Sequence, residues 1–550
     1  MIETLKAFGA LREEFVELSL RHNPVAATLA GIHDYDGILP DDSPDGVLKR
    51  AAWLRDFDQR LAVAVPWEKL PAEQRVDFAL LRSKLAAMRA DLEEIRVHER
   101  NPSLFPETAL NGIFLLMARP FAPLEERKEM ILSRLMEVGD YLIAARLNLK
   151  TVPPIFRDTA IEVTTSAPGF VDGVAGELIR SFPDEAERIE HAASRARVGF
   201  IQYQEFLDRD LKGKLGGSFA IGERWMNYKL EREHMLSLDC RSLEELGREH
   251  VARTRATLEA EARRIDPARS WQEQVTEGKK RHPESRRLRE AYVAEVERAR
   301  RFVEQKRIAP MVDSPLEIID TPVFERPTTP YAAYLSPAPF DHDQTGYFYV
   351  TPVDLSRPKE EQAQQLEGHN ALALPLTVVH EAFPGHHLQL SHSNRGGSRL
   401  RRLADSALLA EGWALYCEEL MVEQGYHADP LTRLFQLKDL LWRACRIVID
   451  VGLHTGSMSF GQAVDYLVAE ALLERVNAVT EVRRYAATPT QPMSYLVGKL
   501  QLLELREEAK RRLGSGFTFY DFHAAVLASG SVPPSLLRQE IWERLSPAPA

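Results

Sequence analysis

The stretch VVHEAFPGHHLQ, residues 378–389, decides how this chain is read. A His-Glu pair at His380–Glu381 is followed by His386 and His387, six and seven residues after the first histidine. The metal-binding turn of many zinc peptidases is His-Glu-x-x-His, with two histidines four residues apart on one helix face. Here Pro384 stands where the second histidine belongs.

Helix geometry makes the spacing a problem. Residues four apart lie about 40° apart around a regular α-helix, whereas residues six apart lie about 240° apart. On such a helix His380 and His386 face away from each other. His387 returns to the face of His380, but about 10 Å further along the axis. Zinc draws each nitrogen to about 2.0–2.1 Å, so neither pair makes a site on a regular helix. Pro384 changes this. It has no N–H, and its ring collides with the carbonyl of residue 380, so the helix is expected to bulge or kink just after His380. Gly385 tolerates backbone conformations that other residues avoid. A two-residue bulge would carry His386 to the second ligand position. The competing reading is an ordinary helix end, with Pro-Gly as stop chemistry and histidines favoured by the helix dipole.

A third ligand candidate follows thirty residues after Glu381. Glu411, in SALLAEGWALYCEEL, has Ala407, Leu408, Leu409 and Ala410 before it and Gly412 and Trp413 after it. A carboxylate in such apolar company is costly unless it is paired or bound to a cation. Two histidines and one glutamate with an open fourth position form the ligand set of a catalytic zinc site. The alternative for Glu411 is a buried ion pair with Arg401, Arg402 or Arg443.

The rest of the chain sets bounds. With 550 residues and 44% hydrophobic content it can bury a large core. It is expected to form one large two-lobed catalytic unit over 1–550, with a mainly helical part over 1–230 and a part over 231–550 that carries the metal site. The net charge of −11 comes without a basic stripe, which argues against nucleic-acid and anionic-membrane partners. MIETLKAFGALREEF is not a secretory signal, and no apolar run reaches the roughly 18–20 residues that span a bilayer. Cys240, Cys417 and Cys445 are too few for a disulfide framework. A cytoplasmic protein is expected.

Helical patterns dominate. Amphipathic helices are expected from Ile2 to Leu20, Glu126 to Leu147, Pro183 to Leu207, Ala404 to Gln424, Pro430 to Leu453 and Phe460 to Arg475. Another is expected to start at Ser242 as N-cap, with Glu245 completing a capping box. The region from Leu316 to Pro352 alternates prolines with short β-branched and aromatic runs, as strands and loops do. A small antiparallel sheet beside the metal-binding helix is expected, and its edge offers main-chain hydrogen bonds to an extended peptide.

HEAFPGHHLQ, AEGWALY, VIDVGLH and SYLVGKLQLLELR together resemble the bacterial family named domain of unknown function 885. The likeness runs from RHNPVAATLAGIHDYDGILPDDS to the C-terminal helices, and the family's His-Glu-x-x-Pro-Gly-His motif fits at every fixed position. That family is similar to the gluzincin peptidases, which implies a mainly helical, two-lobed fold with a deep active-site cleft. Carried over by residue, the resemblance implies His380 and His386 as zinc ligands, Glu411 as the third ligand and Glu381 as general base. His387 remains a rival to His386. Tyr495, in a segment similar to one that places a tyrosine over the substrate carbonyl in carboxypeptidase relatives, is expected to stabilise an oxyanion. His454, four residues after Asp450 and so on the same helix face, is a second candidate for that role; the alternatives are a satisfied core histidine for His454 and a packed aromatic with a bonded hydroxyl for Tyr495.

The function expected from these readings is Zn2+-dependent hydrolysis of an amide bond, in a short peptide above all. A non-peptide amide or ester substrate is the alternative within the same chemistry. A non-catalytic metal- or peptide-binding relative is the alternative outside it, and an intact Glu381 argues against that, because binding metal does not require a base.

Overall fold

The computed structural model describes residues 2–322, 326 and 331–545. The chain packs as two compact units. Among the described residues, the first runs to Ile221 and takes in Ala338–Asp343, and the second holds Gly222–Thr321, 331–337 and 344–545.

The first unit is helical. It contains α1 (Ile2–His22), α2 (Leu124–Ala145), α3 (Pro154–Ser181) and α4 (Ala186–Arg209). α2 and α3 both pack on α4, around Leu135, Val138, Val171, Val174 and Phe200, all fully buried. The helix expected from Pro183 begins as a 3-10 turn over Pro183–Glu185 and becomes regular at Ala186.

The second unit carries every candidate site residue named above. Its first long helix is α5 (Cys240–Ile265), and the capping box lies three residues before the expected one. Asp239 is the N-cap, its carboxylate accepting from the Ser242 backbone while the Ser242 hydroxyl meets the Asp239 N–H. An ionised acceptor at the N-cap is favoured by the dipole, which leaves Ser242 the partner's role. After α6 (Leu288–Gln305) come three short strands, β1 (Leu316–Asp320), β2 (Ala332–Leu335) and β3 (Gly346–Val350), in the order β1-β3-β2. Residues 323–325 and 327–330 of the expected strand-and-loop region lie outside the described residues.

The sheet is mixed rather than antiparallel throughout. β2 runs antiparallel to β3, but β1 runs parallel to it, in register from Leu316 with Gly346 to Asp320 with Val350. The chain between β1 and β3 is long enough for the crossover that a parallel pair requires. Central β3, GYFYV, is buried along most of its length, as a strand covered on both faces should be.

Seven further helices complete this unit's site: α7 (Leu374–Glu381), α8 (His386–Ser393), α9 (Ala407–Glu423), α10 (Pro430–Thr455), α11 (Phe460–Ala471), α12 (Arg475–Ala487) and α13 (Ser494–Leu513). The helix expected from Phe460 to Arg475 is two, because Leu472 turns the chain with φ of 54°. Among the described residues no helix is long and apolar enough to cross a membrane.

The tightest crossing joins α9 and α13. A Cβ on Gly412 would stand 2.6 Å from the Gly498 Cα, and one on Gly498 would overlap the Leu408 carbonyl oxygen. Two glycines therefore let two helix backbones touch. Gly498→Ala is expected to lower the stability of this unit by about 1–3 kcal/mol or more, since a backbone must move to admit a methyl group. Gly461→Ala, with nothing within 4 Å of the new methyl, is the control and should leave stability unchanged or slightly raised. Thermal unfolding of the two variants against the parent reads the difference.

Candidate metal centre

The Pro-Gly element breaks the helix outright, which is more than the bulge expected from the sequence. α7 ends at Glu381, and α8 begins at His386. The Phe383–Pro384 peptide between them is cis. Gly385 folds back so closely that a Cβ there would overlap the carbonyl oxygens of Val379 and His380. The Pro384 carbonyl, released from helical bonding, accepts from the Trp413 indole N–H at 2.7 Å. Trp413 is fully buried and lies on α9, so the helix that carries Glu411 also clamps the break.

This turn brings His386 to His380. Their ring centroids are 4.8 Å apart and the rings stand at 89°. Glu411 Oε2 lies 3.6 Å from His380 Nε2 and 3.4 Å from His386 Nε2. One ligand atom from each of the three residues falls within 4.8 Å of the others. Metal–ligand bonds of about 2.0–2.2 Å at tetrahedral angles place ligand atoms about 3.3–3.6 Å apart, so the set fits a zinc ion in size and in donor type. The three side chains retain 11%, 13% and 20% of their exposure, so the cluster is sheltered but open on one side. Arg401 pairs with Glu540 and Arg443 leans towards Asp439, which removes two of the arginines that were rival partners for Glu411.

The charges inside the cluster answer one another. Burial opposes the charge on Glu411, yet hydrogen bonds from His380 and His386 hold its carboxyl well below the usual range. Burial likewise opposes the charge on His380, but Glu411 and Glu418 raise it well above the ordinary histidine value. A metal ion taking the place of that proton meets a pre-assembled negative charge.

Glu418 was not anticipated from the sequence. Its Oε1 lies 2.8 Å from His380 Nδ1, it is 2% exposed, and its other oxygen has no hydrogen-bond partner among the described residues. A carboxylate behind a histidine fixes the tautomer and aims the other nitrogen at a metal. The signal was present in the spacing, since Glu411 and Glu418 are two helical turns apart on one face of α9.

Of the two adjacent histidines, His386 is the one that joins the cluster. His387 is fully buried, and its Nε2 donates to the Ser314 carbonyl at 3.1 Å while its Nδ1 accepts from the Tyr334 hydroxyl at 3.0 Å. Burial lowers it to about 4, so the ring is neutral with both nitrogens used. It ties β2 and the segment before β1 to α8.

Glu381, the last residue of α7, is half-buried, and among the described residues it has no hydrogen bond or ion pair. Tyr495 sits in the first turn of α13, half-buried, with the Arg446 guanidinium 4.4 Å from its ring centre. His454 is a correction. It is fully buried, and its Nε2 donates to the Tyr485 carbonyl at 3.0 Å, while Asp450 accepts from the Thr490 and Met493 backbones. The i, i+4 spacing does put His454 and Asp450 on one face, but that face is turned into the core, so His454 holds the end of α12 rather than a substrate.

The sequence matches the family described as bacterial protein of unknown function (DUF885) over residues 24–541. The chain belongs to this family. Among solved structures it is similar to a candidate lipoprotein of unknown function from Shewanella oneidensis, with 24% identity, a TM-score of 0.79, and 97% of this chain and 99% of that one covered. A candidate lipoprotein from Colwellia psychrerythraea is similar at 20% identity and a TM-score of 0.80, with 99% of each chain covered. DUF885 thus has a fold that these chains share at low identity. No curated protein matches the chain.

One zinc per chain is the expected metal content, lost on substitution of His380, His386 or Glu411 by alanine. Glu418→Gln should keep the site but weaken zinc affinity about 10- to 100-fold, as removal of an orienting carboxylate does elsewhere. Competition with a chromophoric chelator measures both, and an unchanged affinity in Glu418→Gln would deny that residue its orienting role.

Proposed function

We propose that the protein is a zinc-dependent hydrolase of amide bonds, with short peptides as its substrate class. The observation that carries this is the convergence of His380, His386 and Glu411, with the unpartnered Glu381 carboxylate on the residue next to His380. Zinc held there supplies a Lewis acid for a carbonyl oxygen and makes water acidic near neutral pH.

The chain's own residues supply the rest. His380, His386 and Glu411 would hold the ion, and it would supply its Lewis acidity to the reactants. Glu418 keeps the His380 ring in place. Glu381 accepts the proton of the attacking water and passes it to the leaving nitrogen, a task that needs a carboxylate not already bonded to a neighbour. The Tyr495 hydroxyl is the donor available for the developing oxyanion, the part that His454 does not play. Edge strand β2 is tied to α8 through Tyr334 and His387, and it offers its main chain to an extended peptide in the way edge strands do.

Glu381→Gln tests the reading directly. The variant should bind zinc as the parent does and lose about 100- to 10,000-fold in peptide hydrolysis, because the amide keeps the shape and cannot take the proton. Turnover of a mixed peptide library by the parent should vanish with a chelator and return with zinc. A Glu381→Gln protein that keeps most of its turnover would refute the assignment.

A further inference from the structure

The wall behind Tyr495 holds buried donors with nothing to donate to. Arg446, on α10, is 4% exposed. Its guanidinium lies 4.3 Å from the Trp442 ring and 4.4 Å from the Tyr495 ring. Its Nε donates to the Tyr485 hydroxyl at 2.8 Å, and its Nη2 to Glu481 at 3.2 Å. Its Nη1 is buried and has no hydrogen-bond partner among the described residues. One turn earlier, Arg443 lies 4.8 Å from the same Trp442 ring, and its Nε is likewise buried without a partner.

The local charge does not balance. Asp439 serves both Lys438 and Arg443, and Glu481 serves both Arg446 and Arg484. Four cations share two carboxylates, and the nearby buried carboxylate of Asp450 accepts from the Thr490 and Met493 backbones rather than from any of the four, so the cations outnumber the carboxylates paired with them. Every unmade hydrogen bond named here belongs to a donor, so what is missing is oxygen, and anionic oxygen best suits both the geometry and the charge. Aromatic faces around a guanidinium shield it from water and strengthen whatever it binds.

The wall also adjoins the metal cluster. Glu411 precedes Gly412, and Gly412 touches Gly498 on α13. Tyr495 lies one turn before Gly498, about 4.5 Å along the helix, and shares its face. Tyr495 thus meets the Arg446 guanidinium and stands one helical turn from the crossing beside Glu411.

We propose that Arg446, backed by Arg443, receives the terminal carboxylate of a peptide, so that the amides cleaved lie close to a free carboxyl end. This rests on the hydrolase reading above and narrows it to one substrate class. Arginine suits the task, because its planar fork matches a carboxylate in two hydrogen bonds.

The test compares peptides that differ only in ending as a free acid or as an amide. The zinc-loaded full chain should cleave the acid with a kcat/KM about tenfold or more higher, mainly through KM, as the loss of one charge-assisted hydrogen bond implies. Arg446→Gln should bring the acid-to-amide ratio towards one, and Arg443→Gln should lower it in part and decides the matter if the Arg446 variant does not fold. A separate arm needs no turnover. Calorimetric titration of zinc-loaded Glu381→Gln protein should show the acid binding about tenfold or more tighter than the amide. Equal binding of the two forms, or a ratio that Arg446→Gln leaves unchanged in a folded protein, overturns the proposal. If no peptide is cleaved but the acid still binds preferentially, the carboxylate subsite stands and the hydrolase reading fails.

Discussion

Everything at the candidate site depends on one carbonyl. When the helix stops at Glu381, the backbone between Ala382 and Gly385 loses its regular partners, and a buried carbonyl without a partner is a cost that folded chains avoid. Trp413 meets that need at Pro384 from the neighbouring helix. The same helix presents Glu411 two residues earlier and Glu418 five residues later. The bond that makes the break tolerable thus fixes the distance between the two histidines and the two glutamates. Gly385 sets the other limit, because any side chain there would strike the end of the helix that carries His380.

The second constraint is the contact of backbone on backbone at Gly412 and Gly498. It pulls α13 against α9 at the residue after Glu411 and so sets the depth at which Tyr495 stands. Beyond that crossing the two helices are joined by ion pairs, Lys499 with Glu419 and Arg506 with Glu423. Lys499 is almost fully buried, so its charge is held in place by this partner rather than by water. The result seats the His380, His386 and Glu411 cluster on helices, where side-chain geometry is better defined than on loops.

The electrostatic character of the unit divides along the same elements. Glu381, Glu411 and Glu418 gather acid around the histidines, a field that favours a cation. Arg443 and Arg446 gather positive charge on the next helix, a field that favours an anion. A substrate with a polar amide at one place and a carboxylate nearby answers both fields. Hydrophobic burial alone accounts for neither cluster, since each retains buried polar atoms without a hydrogen-bond partner among the described residues.

The helices, the three residues that cluster at His380 and the break at Pro-Gly were legible in the sequence, because each rests on local spacing. The 3.6-residue period marks a buried face, and a proline two turns into a helix must disturb it. Local spacing also misled. Asp450 and His454 do share a face, but only packing decides whether that face meets substrate or core. The end of α11 at Ala471 carried no glycine or proline, and Leu472 adopts a left-handed turn that no propensity would suggest. The parallel pairing of β1 with β3, the bonds that hold His387 away from the cluster, the carboxylate of Glu418 behind His380 and the clamp of Trp413 on Pro384 join residues 29 to 73 positions apart in the chain. Such pairings depend on how helices cross and which hydrogen bonds remain to be made, and these are settled only when the whole unit has folded. The sequence by itself determined which residues were available for the site, and the tertiary structure decided which of them face one another.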